Sequence, residues 1–176
     1  MNQHTKIQRM ATAALCLALA YILPFFTGNI PEIGSMLCPL HLPVLLAGFL
    51  CGGYWGLAVG FAAPLLRSLI VGMPPLFPAA VAMAFELATY GWLVGILYTR
   101  LPKRKPFIYV SLLISMLAGR VVWGGVTYVL MGIQGSPFTF SAFLAGAFTG
   151  AIPGIILQIV LIPPLVMLAK RREYLS

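Results

Sequence analysis

The chain contains no aspartate, and its only acids are Glu32, Glu86 and Glu173. That excludes a carboxylate dyad in its usual form, and with it the ladder of intramembrane acids expected of a proton-coupled carrier. Three catalytic or nucleotide signatures are also missing: G-x-x-x-x-G-K-[ST], H-E-x-x-H and G-x-S-x-G. Without them the chain has no P-loop for ATP, no zinc-protease helix and no nucleophile elbow. Cysteine is scarce. Cys16, Cys38 and Cys51 are odd in number, lack C-x-x-C spacing and have only His4 and His41 as possible co-ligands. They read as apolar packing residues, and no metal or other cofactor is expected.

Charge of either sign is rare as well. Only 8% of the 176 residues are charged and 61% are hydrophobic, with a mean hydropathy of +1.00. A soluble domain of this size does not have that balance. Residues 1–176 read as a single all-α integral membrane domain with almost nothing outside the bilayer. The net charge of +8 raises nucleic acid as a partner, but the positions of the basic residues point to the lipid bilayer instead. The basic, then apolar, start of the chain has the look of a signal peptide. The run through Phe26 shows no cleavage context and is expected to stay as the first span.

Hydropathy divides the chain into six spans at about 7–26, two within 41–71, 78–98, 107–131 and 139–168. The 41–71 block is too long for one helix and breaks near Gly52-Gly53-Tyr54-Trp55-Gly56. Basic residues fall in three places outside the spans: Lys6 and Arg9; Arg100, Lys103, Arg104 and Lys105; and Lys170, Arg171 and Arg172. The loops at 27–40, 72–77 and 132–138 contain no Lys or Arg. The positive-inside rule then places both termini and the 100–105 loop in the cytoplasm, which six helical spans satisfy and five do not.

Small residues recur at four-residue spacing. Gly48, Gly52, Gly56 and Gly60 form one run, Gly91 and Gly95 a second, and Gly146, Gly150 and Gly154 a third. On helices they make smooth faces for close internal packing. Ala14 and Ala18 repeat the pattern in the first span. They serve either the same purpose or a flat surface for another membrane protein.

Arg67, Glu86 and Arg120 are the ionisable residues inside spans. Each costs roughly 2.5–3.5 kcal/mol to insert, so each should face a partner or a watery cavity. Depths reckoned from helical rise put all three within reach of one cavity open to the outside. Glu86 should pair with one arginine and leave the other as a surplus cation for an anionic solute, since guanidinium offers two parallel N–H donors. The plain alternatives are that the three cross-link helices, or that Arg67 snorkels outward. Tyr90 shares a helix face with Glu86, and Trp123 and Thr127 share one with Arg120. Gln158 is a lone polar residue deep in the last span, and Glu32, Ser35 and His41 are candidates for a lid beside the first outer loop.

With six short spans, Ala14-x-x-x-Ala18 and no ATPase motif, the chain resembles the S-components of energy-coupling factor (ECF) transporters, the substrate-binding membrane subunits of bacterial vitamin importers. The segment from Pro39 to Phe49, then Pro64-Leu65-Leu66-Arg67 and Phe85-Glu86-Leu87, is similar to one subgroup of that family. The resemblance implies a multi-pass protein of the bacterial plasma membrane, not an enzyme. Its solute pocket is expected near the outer face, between spans 4 to 6, capped by the first and third outer loops. It implies a transmembrane coupling subunit, docked on the first span through Ala14 and Ala18, and two cytoplasmic ATPase subunits. The ligand would be a water-soluble vitamin or precursor. The extra arginine favours an anion such as pantothenate, with riboflavin or folate as other possibilities. A stand-alone facilitator and a membrane enzyme built on Glu86 with His41 or Tyr90 are the competing functions.

Overall fold

In a bilayer every backbone N–H and C=O must find its partner inside the protein, and a chain this apolar meets that demand by forming helices. The computed structural model describes residues 3–27, 37–102 and 104–170, and every regular element among them is helical. Helix α1 covers Gln3–Ile22 and runs on into a short 3-10 turn, Leu23–Thr27. Helices α2, His41–Cys51, and α3, Gly53–Val71, follow. A single π turn, Leu76–Ala80, leads into α4, Val81–Arg100. Helix α5 is the long Lys105–Ile133, α6 is Phe140–Ala147 and α7 is Ile152–Ala169.

The 41–71 block breaks where its glycines predict. Gly52 alone separates α2 from α3, at φ 96°. An L-residue with a side chain is strained there, so glycine makes the reversal possible. Helix α2 has only eleven residues, about 16 Å at the usual rise and about half the hydrocarbon thickness. Nine of those residues are buried, so neighbouring helices shield it from lipid. Five further stretches are long and apolar enough to cross a membrane.

The last span is not one helix. After α6 the chain departs from helical geometry at Phe148 (φ −124°, ψ −64°), makes a 3-10 turn at Thr149–Ala151 and resumes as α7. Gly150 and Pro153 explain the break: glycine favours helix poorly, and proline has no N–H to bond back to the preceding turn. The four-residue glycine run there is thus split between two helices.

Helix α4 is the centre of the bundle, packed by α2, α3 and α5; α1 lies on α2 and α3, and α7 on α2 and α5. Small residues allow the closest of these contacts. Gly56 on α3 and Gly91 on α4 meet backbone to backbone, and a Cβ on either would strike the other's main chain. Around this contact Leu45, Phe49, Leu87, Val94, Ile108 and Leu112 are fully buried. The sequence-predicted role of these glycines in internal packing is what the structure shows.

Candidate functional site

Glu86 lies in the second turn of α4 and is 2% exposed. Three side chains converge on its Oε1. Tyr90, one turn further along α4, donates its hydroxyl at 3.1 Å. Arg120 on α5 brings Nη1 to 3.2 Å. His41, the first residue of α2, places Nε2 at 3.5 Å. Helix α2 begins inside the bundle, so its first residue, His41, lies beside Glu86. The His41 and Tyr90 rings also touch, with centroids 5.3 Å apart. A second arginine nitrogen, Nη2, reaches Cys38 Sγ at 3.8 Å.

Local sequence explains how these groups fit. Gly119 precedes Arg120 and faces the Tyr90 ring so closely that any Cβ would overlap it. Glycine there lets α4 and α5 approach until Arg120 and Glu86 meet. Pairing offsets much of the cost of burying two ions, whereas removing one partner of such a pair costs about 3–5 kcal/mol.

The cluster forms one end of a cavity of about 430 Å³. Cys38, Pro39, Leu40 and His41 line it from the segment entering α2. Pro74, Pro78 and Ala79 come from the α3–α4 connection, and Ala82, Met83 and Glu86 from α4. Arg120, Trp123, Thr127 and Met131 come from α5, with Phe138 and Gly146 beyond it. The walls are mostly apolar. Trp123 is held by the edge of Phe138, by stacking on Phe143 at 6.3 Å and by contact with Gly146. Three buried polar atoms around this cavity lack a partner among the described residues: His41 Nδ1, Arg120 Nε and Thr127 Oγ1. A largely apolar pocket of this size with a few convergent polar groups is suited to holding a small organic molecule.

A profile of the family described as "ECF transporter, substrate-specific component" matches residues 8–166. The chain belongs to this family. No curated protein and no solved structure matches it significantly. Membership makes this ECF component a multi-pass, substrate-binding subunit of a transporter, in a family of transport proteins rather than enzymes.

The expected site residues of this ECF component fall into five groups. Glu86, Arg120, Trp123, Thr127 and His41 come together on the cavity, while Tyr90 lies beneath it, bonded to Glu86. Arg67 is elsewhere. It is buried against α1, donating to the Tyr21 carbonyl at 3.1 Å, with the Phe25 ring 5.3 Å from its guanidinium carbon. The depth estimate put Arg67 within reach of the same cavity as Glu86, but its azimuth on α3 turns it to α1. The acid therefore pairs with Arg120, and the surplus cation expected at the cavity is not there.

Gln158 is fully buried on α7, both its amide atoms lack a partner among the described residues, and it does not line the cavity. His41 sits at the cavity end rather than in a lid. Glu32 and Ser35 lie outside the described residues. Ala14 and Ala18 face outward from α1, whereas Ala13, Cys16 and Ala20 are its buried side.

Sequence reasoning missed the lining from Pro39, Pro74, Pro78, Ala79, Ala82 and Met83. A signal existed for part of it, because residues 79, 82 and 83 precede Glu86 at helical spacing. Met131 likewise follows Thr127 by one turn. The proline-rich α3–α4 connection read only as a turn.

Proposed function

We propose that this ECF component captures a water-soluble vitamin or vitamin precursor outside the bacterial plasma membrane and presents it for ATP-driven uptake. The observation that carries this reading is the roughly 430 Å³ apolar cavity ending on the buried Glu86–Arg120–His41 cluster. The ligand would lie between Trp123 and the α3–α4 connection, with its polar end toward Glu86 and Arg120. Thr127 lies along the wall, and Tyr90 holds Glu86 from below. Glu32 and Ser35 belong to the segment before α2 that would cover the bound solute. Gln158 and Arg67 are assigned to the scaffold.

The distribution of basic residues supports six spans with both termini in the cytoplasm. In that arrangement α2 crosses only part of the hydrocarbon layer. Helix α1 presents Ala14 and Ala18 on its outer side, a flat surface suited to a transmembrane coupling subunit that carries two ATPases. The test is uptake into vesicles containing this chain with or without its coupling subunit and ATPases. Accumulation that requires both the partners and ATP agrees with the proposal. Equal uptake by the chain alone identifies a facilitator instead.

A further inference from the structure

Tyr90, Arg120 and His41 all approach the same oxygen of Glu86, Oε1, and no described residue donates to Oε2. A carboxylate can accept on both oxygens, so this residue on the cavity wall retains an open acceptor. Beside it Arg120 has unused capacity. Among the described residues its Nη2 reaches only a thiol sulfur, at 3.8 Å, and the buried Nε–H has no partner. The end of the cavity therefore offers an acceptor and donors side by side. Its charges cancel, since Glu86 and Arg120 form a pair and Arg67 lies against α1. The rest of the lining adds aromatic and proline surfaces, Trp123, Phe138, Pro74 and Pro78.

We propose that the ligand is electrically neutral and offers an adjacent N–H donor and C=O acceptor on a flat ring, as a lactam, imide or aryl carboxamide does. The N–H meets Glu86 Oε2, the carbonyl meets Arg120, and the ring lies against Trp123. A carboxylate would bring an uncompensated negative charge into a neutral, mostly apolar pocket. This inference rests on the cavity being the solute site of the proposed function.

The test compares matched neutral and anionic probes on the purified full chain by thermal stabilisation and equilibrium binding. The pairs are nicotinamide with nicotinate, biotin amide with biotin, and panthenol with pantothenate; riboflavin serves as a neutral imide and folate as an anion. The expected result is binding confined to neutral members, at least one binding roughly 100-fold tighter than its charged counterpart. Equal or tighter binding of a carboxylate overturns the neutral-ligand proposal and leaves solute capture intact. Silence across the whole panel overturns both. A folded Glu86→Gln variant leaves Arg120 without its counter-charge and should shift preference toward the anionic members by about tenfold or more. An unchanged preference in that variant contradicts the proposal; if the variant does not fold, the wild-type ratio decides.

Discussion

Arg120→Met is the most informative single substitution, because it leaves Glu86 buried with only Tyr90 and His41 as donors. Glu86 is 2% exposed and Arg120 6%, so water entering from the cavity replaces the lost contact at 3.2 Å only in part. Breaking a buried pair from one side costs about 3–5 kcal/mol. For a chain of this length that corresponds to a fall in melting midpoint of roughly 6–20 °C. Adding Glu86→Gln removes the stranded charge, and the double variant should regain most of the loss. The assay is thermal unfolding in detergent for the wild type, the two singles and the double variant, combined as a cycle. Both singles should be less stable than the double. The reasoning is refuted if Arg120→Met melts with the wild type, or if the double variant is no better than the worse single.

Three further expectations follow from the packing. Gly119→Ala places a methyl group in the Tyr90 ring and should cost about 1–3 kcal/mol by overpacking; a melting point equal to wild type would show that the ring yields freely. Replacing Ala14 and Ala18 with Leu should spare ligand binding and block co-purification with the coupling subunit, whereas unchanged assembly removes α1 as the docking face. Trp123→Ala takes away the aromatic wall held by Phe138, Phe143 and Gly146 and should weaken ligand binding by about tenfold or more. Retained affinity, measured by equilibrium binding, would place the ligand elsewhere.

Much of this arrangement was legible in the residues. Hydropathy and the four-residue glycine spacing mark the helices and their closest approach, because both follow from helix geometry and lipid exclusion. Helical period also grouped Arg120 with Trp123 and Thr127, and Glu86 with Tyr90. Rotation about a helix axis was not legible. Depth comes from counting residues, but whether Arg67 faces α1 or the cavity depends on how α3 packs, which no local pattern encodes. The break in the last span was hidden by continuous apolar character, although Gly150 and Pro153 were visible within it. His41 read as a lid residue because a span was expected to begin at the membrane surface, whereas α2 begins inside the bundle.

The central claim is that the cavity above Glu86 and Arg120 holds a small water-soluble molecule. Thermal stabilisation of the detergent-purified chain, without any partner, against a panel of water-soluble vitamins and precursors tests it most directly. A ligand at a hundredfold excess over its dissociation constant stabilises the folded form by about 2.7 kcal/mol. The account predicts one clear hit, which Trp123→Ala weakens and Arg67→Lys leaves nearly unchanged. A folded protein that no member stabilises, or a hit indifferent to Trp123 and sensitive to Arg67, would contradict it.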